Sequence, residues 1–198
     1  RNPVAVVGVE KEKDRMKSFF KVLLIALISA AAVRMMYVVR LDFSMNAPVI
    51  LKRDFRMPDA ALKKLEAPQQ KASSADFPNR PALIVFFGSW CPPCLEEYGD
   101  LLKISRLPDA PPIIGIAVRD TPEKIQELFK NKGKAFQKTF LDADMAWSKA
   151  MNAPGLPAVF LSDGKGKIAY RIKGRIDEQF FKNKIRPLLQ GLAAHENK

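Results

Sequence analysis

Histidine and cysteine are scarce in this chain of 198 residues, which contains one histidine and two cysteines. Two cysteines cannot form a disulfide-rich scaffold or a four-cysteine zinc site. The single histidine, His195, belongs to a polar C-terminal tail. That position argues against a serine–histidine triad, a multi-histidine metal site and a haem with two histidine ligands. We therefore expect no metal site, and any chemistry must use the cysteines, the carboxylates or the lysines.

Acidic residues are also few relative to basic ones: 21 Asp and Glu stand against 33 Lys and Arg, which gives a net charge of +12. Such an excess suggests nucleic acid or anionic lipid as a partner. No aromatic–basic repeat, zinc finger or recognition-helix pattern supports nucleic acid. We expect no nucleic-acid partner, and a solvated basic surface is the simpler interpretation. With 47% apolar residues the chain can bury a core, and its length fits one domain with an appendage.

Charge is nearly absent from residues 19–39, which contain only Lys21 and Arg34. The stretch is long enough for a membrane-spanning helix if Arg34 extends toward an interface. Basic residues before it predict that the N-terminus is cytoplasmic and the rest of the chain lies across the membrane. A retained signal anchor in contact with lipid is the preferred interpretation. A cleaved signal peptide, cut after the small residues 30–32, and a buried soluble helix are the alternatives.

The pattern divides the chain into five predicted segments. They are a cytoplasmic N-terminal segment (1–18), a transmembrane anchor (19–39), a connector with short edge strands (40–80), a globular domain (81–192) and a polar tail (193–198). In the connector we expect strands at 49–51 and 54–57 and a helical turn at 60–66. Met16 fits a start site, in which case residues 1–15 are an upstream extension.

The most informative motif is the sequence W-C-P-P-C at 90–94, which follows the apolar run Ala82–Phe87. That run predicts a strand buried on both faces, and the apolar spacing after Cys94 predicts a helix. Cys91 would then lie at a helix N-terminus, where free N–H groups and the helix dipole stabilise a thiolate. Cys94 lies about one turn later, within disulfide reach. We predict that Cys91 attacks a partner disulfide and that Cys94 resolves the mixed disulfide.

The two prolines between the cysteines, Pro92 and Pro93, fix φ in the first helical turn and remove two N–H donors. The thiolate should therefore receive hydrogen bonds from the amides of Cys94 and of the residue after it. A structural disulfide or half of a metal site is the alternative, but zinc would need a second C-x-x-C or a histidine pair. The prediction is a redox-active Cys91–Cys94 disulfide with no other cofactor.

The remaining pattern alternates strand and helix signals. We expect a strand at 112–118, helices at 121–132 and 142–151, two strands at 158–161 and Lys167–Lys173 joined by a turn, and a helix at 177–192 kinked near Pro187. This order predicts an α/β fold with a mixed central sheet flanked by helices.

The combination resembles the thioredoxin superfamily and, more narrowly, the membrane-tethered TlpA/ResA/DsbE group of bacterial thiol–disulfide oxidoreductases. The resemblance covers residues 54–192 and is tightest at FFGSWCPPCLEE, which includes Trp90, and at APGLPAVFLSDGKGKI. It implies a thioredoxin-like fold. The group's cis proline, which faces the cysteines, matches Pro157, and a cis bond would open the backbone of Leu156 to a client strand. The group's acidic residue matches Glu97.

Each of these two matches has an alternative, which is a trans proline at a sheet edge for Pro157 and a solvated helix face for Glu97. The chain also departs from related proteins at three positions. Val85 stands where cytosolic thioredoxins carry a buried aspartate, and Leu95 replaces a basic residue that is common after the second cysteine. Ala158 stands where the cytochrome c maturation members carry glutamate or threonine.

The resemblance implies a function and a location. The function would be a reductase, tethered in the bacterial inner membrane by a single helix and facing the periplasm. Its clients would be exported proteins with disulfides, such as apocytochrome c, and a membrane electron donor of the DsbD type would reduce it. The alternatives are a general envelope oxidoreductase with another client and a non-catalytic docking subunit of a membrane complex.

Overall fold

The computed structural model describes residues 4–45, 48–59 and 62–194. Residues 195–198 of the predicted tail, which include His195, therefore lie outside the described residues. Contacts within the chain divide it into two units, Arg1–Ala47 and Pro48–Lys198.

The first unit contains one long helix, α1 (Val4–Met45). Its stretch Arg15–Tyr37 has 23 residues and a mean hydropathy of 2.0, which is long and apolar enough to cross a membrane. A signal sequence near an N-terminus has the same properties. Apolar side chains such as Phe19 and Ile25 are each 66% exposed. That exposure differs from the burial of a core helix in a soluble protein.

The second unit is organised around a mixed sheet of seven strands among the described residues. In chain order the strands are β1 (Val49–Arg56), β2 (Lys63–Lys64), β3 (Ala82–Phe87), β4 (Ile113–Val118), β5 (Lys138–Asp142), β6 (Ala158–Ser162) and β7 (Lys167–Lys173). Their spatial order is β1-β7-β6-β3-β4-β5-β2. Strands β3, β4 and β5 are parallel, whereas β6, β7 and β1 each pair antiparallel with their neighbours.

The helices of this unit connect the strands or follow them. They are α2 (Pro92–Ser105), α3 (Pro122–Lys132), α4 (Ala146–Ala150), α5 (Glu178–Phe180) and α6 (Arg186–Ala194). Helix α3 begins as the sequence predicts: the Thr121 hydroxyl accepts a hydrogen bond from the Lys124 amide, and a proline occupies the first turn.

Two hydrophobic clusters cover the two faces of the sheet. Alternate residues of β3 point to opposite faces, so Val85 belongs to one cluster and Phe86 to the other. Both faces of β3 and β4 are buried along their whole length, which explains why these strands are continuous apolar runs. The cluster around Val85 includes Tyr98 of α2 and Ile125 of α3. It therefore fixes α2, the helix that carries the cysteines, against the sheet.

The structure corrects two predictions about the elements before and within the sheet, and it adds one strand. The two strands expected at 49–51 and 54–57 form one strand, β1, with an irregular register between Lys52 and Phe55. Residues 60–61 of the expected helical turn at 60–66 lie outside the described residues. Over 62–66 the prediction is wrong, because Lys63–Lys64 pairs with β5 instead. Strand β5 itself was not predicted. Its sequence contains Thr139 and Asp142, which are polar but fully buried, so it lacks an apolar run.

The C-terminal helix also differs from the expectation of one kinked helix at 177–192. A π-helical turn, Phe181–Ile185, separates α5 from α6. In this turn the N–H of Arg186 donates to the carbonyl of Phe181, five residues earlier. Pro187 follows directly and has no N–H to donate to the preceding turn. The predicted irregularity near Pro187 is therefore present, as a π turn that precedes it.

Candidate active site

The two cysteines lie where β3 leads into α2. Cys91 is the N-cap residue of α2, and a disulfide joins it to Cys94 with 5.3 Å between their Cα atoms. The Cys94 amide donates to the Cys91 Sγ at 3.4 Å, as the sequence predicts. The Leu95 amide instead donates to the Cys91 carbonyl oxygen at 3.1 Å. One of the two expected sulfur contacts is therefore present in the disulfide form.

Exposure does not distinguish the two sulfurs. Cys91 is 3% exposed and Cys94 is 5% exposed. Their difference lies in position: Cys91 caps the helix, where unpaired amides and the positive end of the dipole meet it. Cys94 lies within the first turn, and its side chain lines the interior of the domain. The position of Cys91 at the helix N-terminus therefore favours a thiolate there, whereas Cys94 lies inside the domain.

The loop before Cys91 is held by the neighbouring parallel strand. Asp120 follows β4, and its carboxylate accepts hydrogen bonds from the Ser89 amide (2.6 Å) and the Ser89 hydroxyl (2.9 Å). The Trp90 indole donates from Nε1 to the carbonyl of Val118 at 3.0 Å. Because β3 and β4 are parallel, both strands end at the same edge of the sheet. These bonds therefore fix the two residues that precede Cys91.

Trp90 and the two prolines form the exposed side of the motif. Trp90 is 51% exposed, and Pro92 and Pro93 occupy the first turn of α2 with exposed rings. Gly88 allows the indole to approach the backbone, since a Cβ at this position would lie 2.8 Å from Trp90 Nε1. The protein thus presents a large aromatic surface beside a buried disulfide.

A small cavity of about 10 Å³ lies beside Cys94. It is close to the minimum of roughly 10–15 Å³ that holds one water. Glu97, Val85 and Pro157 also line it, and Glu97 is the one carboxylate among its nine lining residues. Burial raises the pKa of Glu97, and the positive charge of Arg175 opposes that increase. Glu97 is therefore half-buried beside Cys94, rather than on a solvated helix face.

The loop before β6 completes the site. The Leu156–Pro157 peptide bond is cis, as expected from the resemblance. Pro157 lines the same cavity as Cys94, and Leu156 is half-buried against both hydrophobic clusters. In the part of the chain that the structure describes, the backbone of Leu156 makes no hydrogen bond. Its amide and carbonyl are therefore not engaged by the described part of the chain.

Comparison with known proteins agrees with this arrangement. The sequence profile of the Redoxin family matches residues 52–185, which is more than half of the chain. The chain belongs to the Redoxin family. Its relatives include the thiol:disulfide interchange protein HelX of Rhodobacter capsulatus, 32% identical over 128 residues, or 65% of this chain and 70% of HelX. The thiol:disulfide interchange protein DsbE of Pseudomonas aeruginosa is 26% identical over 131 residues, or 66% of this chain and 72% of DsbE.

Solved structures share the fold of this redoxin. A secreted thiol-disulfide isomerase from Corynebacterium glutamicum superimposes with a TM-score of 0.57, at 19% identity, over 72% of this chain and 92% of its own. A thioredoxin family protein from Chlorobium tepidum gives a TM-score of 0.55, at 21% identity, over 69% and 97%. The fold is therefore thioredoxin-like. Together with the relatives and the cysteine pair, it makes this redoxin a thiol–disulfide oxidoreductase of the TlpA/ResA/DsbE type.

Two polar features of this redoxin site were missed by sequence reasoning. The first is Asp120, which binds the Ser89 backbone and hydroxyl. Its position directly after a parallel strand was a usable signal, since the carboxyl ends of neighbouring parallel strands meet. The second is the ion pair between Arg175 and Asp100, at 2.6 Å. These two residues are 75 positions apart, and no local pattern connects them.

The described residues of this redoxin include no group of three or more His, Cys, Asp or Glu side chains arranged to hold a metal ion. The chemistry that the site supports is exchange between a dithiol and a disulfide, because Cys91 and Cys94 form a disulfide at the start of α2. A buried pair of sulfurs, an amide directed at Cys91 and a carboxylate beside Cys94 supply the groups that this exchange needs.

Proposed function

We propose that this redoxin is held in the bacterial inner membrane by α1 and that its Cys91–Cys94 dithiol reduces disulfides of exported proteins in the periplasm. The observation that carries the proposal is the position of Cys91 at the N-cap of α2, with the Cys94 amide directed at its sulfur. The apolar stretch Arg15–Tyr37 supports the tether.

The proposed reaction moves two electrons from the dithiol to the client. The Cys91 thiolate attacks one sulfur of the client disulfide, so a bond forms between Cys91 and the client and the other client sulfur leaves as a thiolate. Cys94 then loses its proton and attacks the Cys91 Sγ. The Cys91–Cys94 disulfide forms, the second client thiolate leaves, and the client is reduced. A membrane donor of the DsbD type would return two electrons to the oxidised pair.

The client would lie along the backbone of Leu156. Its free amide and carbonyl precede Pro157, which lines the same cavity as Cys94. Backbone pairing of this kind selects an extended chain and not a particular side chain. The half-exposed Trp90 indole offers an apolar contact on the other side of the cysteines. These features support a protein client with an extended segment around its disulfide.

Apocytochrome c, with its C-x-x-C-H pair, is the client that we propose. The chain is similar to HelX and DsbE. The group that it resembles includes the cytochrome c maturation members, and this resemblance implies apocytochrome c as the client. A general envelope oxidoreductase is the second candidate, and one observation favours it. Ala158, which is 3% exposed in β6, stands where those members carry glutamate or threonine.

The test of the reaction is a trap with the full chain in detergent. Cys94→Ser should accumulate a mixed disulfide with an oxidised C-x-x-C-H peptide, because the resolving sulfur is missing. Cys91→Ser is the matched control and should accumulate none. Equal trapping by both variants would contradict the assigned roles, and no trapping by either would favour the non-catalytic docking alternative.

The client is tested by competition in the same assay. A peptide with an oxidised C-x-x-C pair but no following histidine should trap more slowly than the C-x-x-C-H peptide. Equal rates would favour the general oxidoreductase. The tether is tested by fractionating cells that produce the full chain. The protein should remain with membranes after a carbonate wash, and its recovery in the soluble cytosolic fraction would contradict the proposed anchor.

A further inference from the structure

Arg175 makes a two-pronged contact with Asp100 of helix α2, six residues after Cys94. Its Nε and Nη2 both donate to the Oδ2 of Asp100, at 2.9 and 2.6 Å. Asp100 is only 6% exposed, and its other carboxylate oxygen, Oδ1, accepts from Lys103 Nζ at 3.2 Å. Such a fork fixes the guanidinium in both distance and orientation, as a single lysine contact would not. The position of the positive charge of Arg175 is therefore defined.

The positive charge of Arg175 lies near Glu97, which lines the same cavity as Cys94. Asp100 is three residues after Glu97 on α2, so the two side chains lie on the same helical face. Ile176, the residue after Arg175, lines the cavity that contains Glu97 and Cys94. Arg175 thus approaches Glu97 from the loop after β7, whereas Asp100 approaches it from α2.

The charges around Glu97 act in opposite directions. Burial raises the pKa of Glu97, Arg175 lowers it, and the negative charges of Asp100 and Glu96 raise it. The Tyr98 phenol also lines the cavity, but burial raises its pKa to about 12, so it stays neutral. Arg175 is the one opposing positive charge in this set. Asp100 and Asp177 both favour its charged form.

We propose that Arg175 is a positioning residue that keeps Glu97 able to accept the proton of Cys94 when the mixed disulfide is resolved. The inference rests on the proposed function of the cysteine pair and deepens it. In this step the Cys94 thiol gives its proton to the Glu97 carboxylate, and the Cys94 thiolate attacks the Cys91 Sγ. The bond between Cys91 and the client breaks, the Cys91–Cys94 bond forms, and the client leaves as a thiolate. The proton on Glu97 then passes to solvent or to that thiolate.

The removal of Arg175 has two consequences for Glu97. Glu97 loses a positive neighbour, and Asp100 loses its fork and remains as a negative charge on the same helical face. Both changes favour protonated Glu97, which cannot accept another proton. Without Arg175, resolution of the mixed disulfide should therefore be slower at lower pH. It should recover at higher pH, where Glu97 is ionised in both the variant and the unmodified protein. A purely structural ion pair would instead change stability and leave the pH profile unmoved.

The experiment uses the reduced full chain in detergent and the neutral disulfide dithiodipyridine as the probe. Cys91 releases a first thiopyridone when it attacks, and Cys94 releases a second when it resolves, so two kinetic phases report the two steps. We expect Arg175→Met to slow the second phase about two- to fivefold at the lower end of the pH profile, the range typical of partly exposed charge pairs. The curve of second-phase rate against pH should move to higher pH in this variant, whereas the rate of the first phase should stay unchanged. Arg175→Lys should restore part of the rate.

Lys103→Met is the matched control. It removes the other cation on Asp100 but leaves the fork of Arg175, so its second phase should match that of the unmodified protein. In the Glu97→Gln background, Arg175→Met should have no effect on the second phase. A superimposable pH profile for Arg175→Met would overturn the inference, even if its melting temperature falls, and so would an equal slowing of both phases. If the unmodified protein releases no second thiopyridone, the proposed function fails as well.

Discussion

Asp120→Ala should loosen the loop before Cys91 and destabilise the whole domain. The Asp120 carboxylate, 8% exposed, accepts three hydrogen bonds: from the Ser89 amide (2.6 Å), the Ser89 hydroxyl (2.9 Å) and the Thr121 amide (2.9 Å). Hydrogen bonds to a charged group contribute about 1.5–3 kcal/mol each. The two bonds to Ser89 would sum to about 3–6 kcal/mol if none of the donors found water. Because Ser89 is half-buried and its hydroxyl can turn to solvent, we expect a loss of about 2–4 kcal/mol.

That loss is large enough to measure by thermal unfolding. For a domain of this size 1 kcal/mol corresponds to about 2–4 °C, so the melting temperature should fall by about 5–15 °C. Tryptophan fluorescence of the full chain in detergent reports the transition. Reduced Asp120→Ala should also form mixed disulfides several-fold more slowly, since the residues before Cys91 are no longer fixed.

Two variants define the origin of the effect. Ser89→Ala removes only the hydroxyl bond and should cost about 0.5–1.5 kcal/mol. Asp144→Ala removes an exposed carboxylate with one amide contact, at 3.2 Å to Ala146, and should stay within about 0.5 kcal/mol of the unmodified protein. If the melting temperature falls no further for Asp120→Ala than for Asp144→Ala, the reasoning is refuted, because the buried hydrogen bonds of Asp120 would then contribute nothing to stability.

Two further predictions concern stability. Burial raises the folded-state pKa of Glu97 above its ordinary 4.5, so its ionisation opposes folding as pH rises through that range. Glu97→Gln should therefore raise the melting temperature at pH 8 and leave it nearly unchanged at pH 4, whereas the exposed Glu96→Gln should show little of this pH dependence. The same rise for Glu97→Gln at both pH values would contradict the assignment. Gly115→Ala would bring a Cβ within 2.8 Å of Phe136 and should cost about 1–3 kcal/mol, as measured by denaturant unfolding. Gly99→Ala, in α2 with nothing within 4 Å of the new Cβ, should instead stabilise the protein by about 0.5–1 kcal/mol, and equal effects of the two substitutions would contradict the packing argument.

Prediction from sequence worked where a local pattern determines the structure. The run Ala82–Phe87 forms the central strand because every position in it is buried, which an uninterrupted apolar sequence requires. The motif at 90–94 then places Cys91 at a helix start because two prolines suit the first turn and no later one. The expectation of a cis Pro157 came instead from a family resemblance, and the structure agrees with it.

Prediction failed where a residue's environment is set by a distant segment. Strand β5 has polar residues inside, and Asp142 can be buried there because it accepts hydrogen bonds from the amides of Trp147 and Ser148. The short strand Lys63–Lys64 pairs with the edge of β5 and also bonds to residues 70–71, and no local pattern predicts either contact. Asp100 is an ordinary helix residue in sequence, and its fork with Arg175 appears only when β7 and α2 come together. Tertiary contacts, and not local propensity, decide these features.

A redox titration of the full chain tests most directly whether Cys91–Cys94 is a working dithiol. The protein would be equilibrated in dithiol–disulfide buffers of increasing potential, trapped with an alkylating reagent and counted by mass. A catalytic pair should convert between dithiol and disulfide in one two-electron transition, with a midpoint between about −270 and about −120 mV, the range of thioredoxin-like exchangers. A pair that stays oxidised at about −300 mV would be a structural disulfide and would contradict the account.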